Sequence, residues 1–183
     1  MGMPLPTPTY WTTDLLATLP DDGQRYELVH GELLVSPAPS PRHQRIAGLL
    51  YAELRAWLAP LAVGEVFAGP LSLTRDDDTE VQPDVMVAPL QFPRAERWQD
   101  LGRPLLVVEV LSPTTARHDR FPKRLFYQQL GVPVYWIVDP EDAVVEIWTP
   151  ADRFPRVERE LLRWHPDGAP APWEIEVARL LQG

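Results

Sequence analysis

A glutamate, Glu109, interrupts one of the most apolar stretches of the sequence, residues 105–111. The stretch is typical of a central β-strand, in which Glu109 would share a face with Leu105, Val107 and Leu111. A carboxylate on a buried face is costly unless it is ion-paired, hydrogen-bonded or bound to a metal ion. Glu109 is therefore either a structural carboxylate, paired with an arginine or reaching solvent at the strand end, or part of a functional site.

Asp84 and Lys123 are two further residues whose types stand out from their surroundings. Asp84 follows Pro83 at the start of a predicted strand, although an aspartate after a proline is often only a turn residue. Lys123 is the only lysine among 17 basic residues and lies just beyond the Glu109 strand. Lysine is a compact point charge that phosphate chemistry can require, whereas chance alone would also account for a single lysine.

These three side chains have the functional groups that phosphodiester hydrolysis needs. A carboxylate-bound Mg²⁺ can activate water, neutralise charge on the phosphate and assist the leaving oxygen. Magnesium prefers hard oxygen ligands and typically takes one or two protein carboxylates. We therefore interpret Asp84 and Glu109 as metal ligands, with the Val110 carbonyl as an additional ligand, and Lys123 as the group that positions water or stabilises transition-state charge.

Other polar residues are candidates for supporting roles. Glu32 is a candidate third acid. Accessory roles next to the metal are predicted for His43, Gln82 and Tyr127, and phosphate binding for Arg117, Arg120 and Arg124. The sequence contains no P-loop, no G-x-G-x-x-G motif, no G-x-S-x-G motif and no zinc-ligand spacing.

A glycosidase is the alternative that the two carboxylates leave open. Asp84 and Glu109 would then be its acid/base pair. That chemistry would require a sugar cleft lined by aromatic side chains, and the seven tryptophans are scattered along the chain.

The helices and strands that position these residues are predicted from the spacing of apolar residues and from turn and capping residues. Residues 26–29 and 32–35 flank His30-Gly31 and predict a tight hairpin. A short helix is expected from Thr12 or Thr13 to Leu19. Ser40 and Pro41 predict the N-cap and first residue of a helix that runs to about Leu58.

The second half of the chain has the same mixed character. Short strands are expected near residues 65–68, 71–74 and 85–88, followed by apolar strands at 105–111, 134–138 and 144–148. A second helix is expected over about residues 120–130, with Asp119 as its N-cap because Pro122 fits only in a first turn. This order predicts an α/β fold of the α+β type, in which a mixed sheet is flanked by helices.

Composition limits the class of protein. The 183 residues carry 26 acidic and 17 basic side chains, for a net charge of -9, and no cysteine. The length suits one domain over 1–183, with 151–183 expected to be peripheral. We find no signal peptide and no apolar run long enough for a membrane span, so we expect a cytoplasmic protein. The acidity argues against a protein that coats nucleic acid, although residues 117–124 carry a local charge of +3.

Together, Pro83-Asp84, Glu109 and Lys123 resemble the motif of the PD-(D/E)XK nuclease superfamily. In that motif the aspartate and second carboxylate hold a divalent metal, and a lysine assists attack on the phosphodiester. Leu111 stands where the lysine usually lies. The resemblance implies that Lys123 replaces it from the next helix, as in some members of the superfamily.

The longer context resembles the Uma-type family of motif-assigned bacterial restriction endonucleases. The matching segments, spread over about residues 10–150, are 26–32, 36–44, 107–113, 123–131 and 135–140. The resemblance implies a restriction-endonuclease-like core with extra N-terminal hairpin strands. It also implies a Mg²⁺- or Mn²⁺-dependent endonuclease acting on DNA, and a homodimer would suit cutting of both strands. The alternative is a catalytically inactive relative that binds nucleic acid or protein.

Overall fold

The structure is a computed structural model that describes residues 9–90 and 101–182. Residues 1–8, on which the expected absence of a signal peptide rests, lie outside the described part. The strands are β1 (Arg25–Val29), β2 (Glu32–Ser36), β3 (Gly64–Ala68), β4 (Leu73–Thr74), β5 (Glu80–Val81), β6 (Val85–Pro89), β7 (Leu106–Val110), β8 (Tyr135–Asp139), β9 (Val144–Trp148), β10 (Arg156–Glu158), β11 (Leu161–Trp164) and β12 (Trp173–Glu176). The helices are α1 (Thr13–Leu16), α2 (Pro41–Leu58), α3 (Ala116–His118), α4 (Arg124–Gln129) and α5 (Val177–Gln182), and a π-helical turn (Asp119–Lys123) joins α3 to α4.

The larger sheet has six strands in the order β10-β9-β8-β7-β6-β3. The β7–β8 pair is parallel and the other pairs are antiparallel. Every residue of β7 and of β8 is buried, as the continuous apolar runs predict for strands at the centre of a sheet. The predicted mixed sheet flanked by helices is confirmed.

The predicted hairpin forms one side of a smaller sheet, ordered β2-β1-β5-β4, in which β2 is an edge strand. Its two turn residues, His30 and Gly31, both have positive φ (50° and 78°). This is the backbone that a tight two-residue hairpin requires, and it fixes the register in which Glu27 lies opposite Leu34. Helix α2 also begins as predicted, because the Ser40 hydroxyl accepts a hydrogen bond from the His43 N–H and Pro41 is the first helical residue.

The second predicted helix begins earlier than expected. Asp119 is not its N-cap but a buried residue of the π-helical turn between α3 and α4. The turn accommodates Pro122, which has no N–H to donate to the preceding turn. The helical segment instead starts after Ser112, whose carbonyl accepts the Ala116 N–H and whose hydroxyl accepts the Thr115 N–H.

Side chains pack on both faces of the larger sheet. One face carries α2, α5 and the β11–β12 hairpin, and the other carries the smaller sheet and the α3–α4 segment. The C-terminal residues, expected to be peripheral, contribute to the first of these cores. Trp164 and Trp173 are buried there, and the Trp173 ring stacks on Trp136 with centroids 5.8 Å apart. In residues 9–90 and 101–182 no helix is both long and apolar enough to cross a membrane.

Candidate active site

Asp84 and Glu109 lie side by side on the larger sheet. Strands β6 and β7 pair Val85 with Val108 and Met86 with Val107, so the same antiparallel register carried one residue further places Asp84 opposite Glu109. Residues directly opposite each other project from the same face of a sheet. The Val110 N–H fixes the Asp84 carboxylate by donating a 2.8 Å hydrogen bond to its Oδ2. The two predicted ligands therefore share one face, toward the smaller sheet and the α3–α4 segment.

Lys123 enters this face from the π-helical turn. Its Nζ lies 2.6 Å from Glu109 Oε1, 3.0 Å from Glu27 Oε1 and 3.1 Å from Asp119 Oδ1. The residue is only 1% exposed, so these carboxylates replace the hydration of the ammonium. The geometry is that expected of a lysine that reaches back to the second carboxylate from the following helix.

Tyr127 and Gln82 support the acids in different ways. The Tyr127 hydroxyl, one helical turn after Lys123, donates a 3.0 Å hydrogen bond to Glu109 Oε1. Gln82 acts through its backbone, whose N–H donates a 2.7 Å hydrogen bond to Glu27 Oε1. The Gln82 side-chain amide instead donates to the Tyr26 carbonyl. Both residues therefore hold a carboxylate of the cluster in place.

His43 and Arg25 surround the Asp84 carboxylate. His43 Nε2, in the first turn of α2, lies 3.0 Å from Asp84 Oδ2. An Arg25 terminal nitrogen lies 3.0 Å from Asp84 Oδ1, and its Nε lies 3.5 Å from Glu27 Oε2. Arg25 thus links two acids of the cluster.

Burial and charge set the protonation of the central ion pair. Burial raises the pKa of the Glu109 carboxyl well above its ordinary value, against the opposing effect of the Lys123 ammonium. Burial would lower the pKa of Lys123, but the carboxylates of Glu109, Glu27 and Asp119 raise it well above its ordinary value. Lys123 therefore remains a cation throughout the physiological pH range.

The pKa of the Asp84 carboxyl is shifted in the opposite direction from that of Glu109. Burial would raise the pKa of its carboxyl, but the hydrogen bond and charge of His43, the charge of Arg25 and the Val110 N–H hold it below its ordinary value. Two carboxyl groups on the same sheet face thus differ in their tendency to ionise. Asp84 is the fully ionised member of the pair near neutral pH.

The cluster includes residues that the sequence did not single out. Glu32, the predicted third acid, is exposed at the start of β2, and the acid that the hairpin contributes is the buried Glu27. Arg25 shares a strand face with Glu27, and Asp119 lies four residues before Lys123. The period-two and i, i+4 spacings were the available signals, because side chains at these separations share a face.

The three arginines predicted to bind phosphate lie away from the cluster or are already bound. Arg117 is exposed. Arg120 makes 2.7 Å ion pairs with both Asp139 and Glu146. The Arg124 guanidinium lies 4.5 Å from the centroid of the Trp148 ring. Among the described residues, Arg25 is the arginine in contact with Asp84.

The donor chemistry of the cluster fits a hard divalent cation. The second oxygen of Glu109, Oε2, is buried and has no hydrogen-bond partner in the described structure. Asp84 and Glu27 offer further carboxylate oxygens, which Mg²⁺ and Mn²⁺ accept. Within the described ranges, however, no three His, Asp or Glu side chains are already arranged around a common metal position. A cation at Glu109 and Asp84 would compete with Arg25 and His43 for the Asp84 oxygens.

Two cavities lead to the cluster. The larger, of about 560 Å³, is bordered by Arg25, His43 and Asp84 and extends between α1 and α2. The smaller, of about 270 Å³, lies on the other side of Arg25 and His43 and is bordered by Ser112 and Thr114. Of the four acids of the cluster, Asp84 borders the larger cavity, so the cluster meets this recess at Asp84.

The chain matches a family model described as "Uma2: Putative restriction endonuclease" over residues 13–178. It belongs to this family. Membership extends the resemblance seen in the sequence to the C-terminal hairpin and the first two residues of α5, and it supports a nuclease function in general terms. The Uma2 assignment thus covers every element that contributes to the acidic cluster.

A solved structure has a similar fold. It is the crystal structure of "a putative nuclease belonging to DUF820 from Anabaena variabilis ATCC 29413", which is similar to this chain with a TM-score of 0.74 and 22% sequence identity. The similarity covers 93% of this chain and 97% of that one. No curated protein matches the sequence.

Proposed function

We propose that this Uma2-family protein is a divalent-metal-dependent endonuclease that hydrolyses phosphodiester bonds of DNA. The observation that carries the proposal is the convergence of Lys123 on Glu109, 2.6 Å apart, on the sheet face that also holds Asp84. These groups are far apart in sequence: Asp84 immediately precedes β6, Glu109 lies in β7 and Lys123 lies in the π-helical turn. A purely structural ion pair would not require Asp84 opposite Glu109 or a buried carboxylate oxygen without a partner.

Asp84 and Glu109, with the Val110 carbonyl, would hold the ion. Mg²⁺ or Mn²⁺ bound there would supply an activated water and neutralise charge on the scissile phosphate. Tyr127 orients the Glu109 carboxylate through its hydrogen bond, and the Val110 N–H orients Asp84. A bound ion would also offset the cost of ionising Glu109 in a buried site.

Lys123 contributes positive charge rather than a proton-accepting group. Because its pKa is raised well above the ordinary value, the ammonium keeps its proton and cannot act as a general base near neutral pH. It would hold the attacking water or stabilise the negative charge that develops on the phosphate. Arg25, next to Asp84, would provide a second positive group once a phosphate enters.

We also propose that residues 1–183 form one nuclease-like domain, in which the residues after 150 complete the core and do not form a separate unit. A homodimer would allow both strands of a duplex to be cut at related sites. Size-exclusion chromatography with light scattering tests that part separately.

Plasmid cleavage tests the function. We expect purified protein to nick or linearise supercoiled DNA with Mg²⁺ or Mn²⁺, and to be inactive with EDTA. Asp84→Ala and Glu109→Ala should abolish the activity, whereas Glu53→Ala, which removes an acid from an exposed ion pair, should retain it. The three variants share one purification, so equal activity in all of them would reveal a contaminating nuclease and overturn the assignment. A stable, inactive wild-type protein that still binds DNA would favour the non-catalytic alternative.

A further inference from the structure

The size and the lining of the larger cavity differ from those of a cleft that binds a DNA duplex. Its volume of about 560 Å³ lies in the range of small-molecule sites. Much of its wall is apolar, including Leu16, Leu19, Pro39, Ala47, Pro70 and Pro83. Three glutamines, Gln24, Gln44 and Gln82, also border it. The Gln24 amide donates one hydrogen bond to Asp22 and the Gln82 amide donates one to the Tyr26 carbonyl, and each amide group has further donor and acceptor capacity. An apolar enclosure with a few amides suits a flat heteroaromatic ring.

The position of the acids limits how a phosphate reaches them. Asp84 borders this cavity and is 8% exposed, whereas Glu109 and Lys123 behind it are 0% and 1% exposed. A scissile phosphate must therefore enter the recess to approach both carboxylates. In a regular duplex the phosphates follow a stacked and paired helix, and nucleotides are brought into such pockets only after unpairing or flipping.

Positive charge around the recess is sparse. Of the described residues that border the larger cavity, Arg25 and His43 are the basic ones, and Asp21 adds an acid. The smaller cavity adds Arg42, which is already paired with Glu141 at 2.8 Å. Duplex-binding proteins rely on many phosphate contacts, whereas a site that encloses a base gains affinity from stacking and burial.

The two cavities are neighbours. Both are bordered by Arg25, Ala38, Pro39 and His43, and Arg25 and His43, which contact Asp84, lie between them. A base held in the larger cavity would leave its phosphate near Asp84, and the next sugar would continue toward the hydroxyls of the smaller cavity. Ala38, exposed in the loop before α2, lies at the junction.

From this arrangement we propose that the larger cavity binds an unpaired nucleobase next to the scissile phosphate, and that the substrate is single-stranded or locally unpaired DNA. The inference rests on the proposed nuclease function and adds the substrate class to it. The base would be recognised by burial and by the glutamine amides. The preference for unpaired over duplex DNA would arise in the binding step, before hydrolysis.

Cleavage of one labelled oligonucleotide in two forms tests the inference. With Mn²⁺, the single-stranded form should be cut at least about tenfold faster than the same sequence in a duplex, as expected for loss of one enclosed base. Ala38→Trp should fill the junction and remove at least about tenfold of kcat/KM on the single strand, mainly through KM. Ala52→Trp, at an exposed position of α2 outside both cavities, is the matched control and should behave as wild type.

A binding measurement separates this inference from the nuclease proposal. With Ca²⁺ in place of Mn²⁺, 5′-dAMP should bind the wild-type protein at least about tenfold more tightly than inorganic phosphate, and Ala38→Trp should erase the difference. Equal cleavage of single strand and duplex, unaffected by Ala38→Trp, would overturn the substrate class and leave the nuclease intact. Absence of any cleavage would overturn the nuclease function. Equal binding of 5′-dAMP and phosphate would overturn the base pocket.

Discussion

The acidic cluster contains more negative than positive charge. Four carboxyl groups, those of Glu27, Asp84, Glu109 and Asp119, are buried with two cationic side chains, Arg25 and Lys123. Without counting His43, full ionisation of these groups would leave a net charge of about -2, which burial makes costly. A divalent cation would balance this charge. The same imbalance makes the single residues sensitive to substitution.

Removal of Lys123 should be strongly destabilising. Lys123→Met leaves three carboxyl groups without their shared cation, and we expect a loss of about 3–5 kcal/mol in the free energy of unfolding. Urea denaturation followed by circular dichroism measures it. Arg163→Met, which breaks an exposed pair with Glu174, is the control and should cost less than about 1 kcal/mol. Adding Glu109→Gln to Lys123→Met should restore part of the loss. Equal losses of stability in Lys123→Met and Arg163→Met would contradict this electrostatic balance.

The raised pKa of Glu109 predicts a pH-dependent gain for Glu109→Gln. The folded protein holds this proton more tightly than the unfolded chain, whose carboxyl titrates near 4.5. Wild-type stability from this group is complete below that value and falls as the pH rises through the higher folded pKa. Because glutamine does not titrate, the stability of the variant relative to wild type should rise progressively as the pH increases above about 4.5.

Thermal unfolding across this pH range measures the difference. Glu53→Gln, a surface substitution, should show no such trend. A difference between Glu109→Gln and wild type that stays constant with pH, or that grows toward low pH, would contradict the assigned direction.

Sequence alone identified the residues that differ most from their surroundings. Glu109 is a carboxylate in an apolar strand, and Lys123 is the only lysine, so both could be recognised individually. Arg25 and Glu27 could not, because alternating polar residues in an edge-like strand are equally typical of a solvent-facing side. Glu27 and Glu32 project from the same face of the hairpin, because Glu27 lies opposite Leu34 and Glu32 lies opposite Val29. Choosing between them requires knowing that this face is buried at Glu27 and exposed near the turn, which tertiary contacts decide.

At the scale of elements, the start of α2 positions His43. The Ser40 hydroxyl accepts the His43 N–H, and this cap fixes the first turn that brings the imidazole to Asp84. Both the cap and the length of α2 were predictable, because Ser-Pro followed by apolar residues at helical spacing is a local signal.

Ser40→Ala should therefore affect stability and the site together. Loss of the cap should cost about 1 kcal/mol and weaken cleavage, whereas Ser40→Asp should preserve both. The matched control is Thr12→Ala, which removes the cap of α1 and leaves the His43 turn untouched. Chemical denaturation and cleavage rate are the two measurements. A Ser40→Ala variant with full stability and unchanged activity would show that the cap does not position His43.

The helical segment before α4 shows where local rules were insufficient. Pro122 suggested a first turn and hence Asp119 as the N-cap. The chain instead accommodates Pro122 in a π-helical turn, and Asp119 faces Lys123. The buried ion pair between Asp119 and Lys123 competes with the capping role. It is a tertiary contact that local proline and capping signals in the sequence do not predict.

At the scale of the whole molecule, charge is distributed rather than concentrated. The chain carries a net charge of -9, and Arg120 and Arg124 of the locally basic segment are held by Asp139, Glu146 and Trp148. The overall fold class was predictable because helices, hairpins and continuous apolar strands alternate. The burial of Trp164 and Trp173 was not, because scattered tryptophans do not reveal their partners.

This charge distribution predicts a shallow salt dependence of DNA binding. With few free basic groups at the recess, the plot of log Kd against log salt for a single-stranded oligonucleotide should have a slope no steeper than about 3. Fluorescence anisotropy in Ca²⁺ at several salt concentrations measures it. A slope of about 6 or more would indicate an extended phosphate-binding surface and contradict the single small recess.

The most direct test of the account is a double-mutant cycle in single-turnover cleavage, with Mn²⁺ and wild type, Asp84→Asn, Glu109→Gln and the double variant. If the two carboxylates act as one centre, each single variant should lose at least about 10³-fold in rate, and the double variant should lose little more than the slower single variant. Retention of near-wild-type rate by either single variant, or fully multiplicative losses in the double variant, would contradict a shared catalytic centre at Asp84 and Glu109.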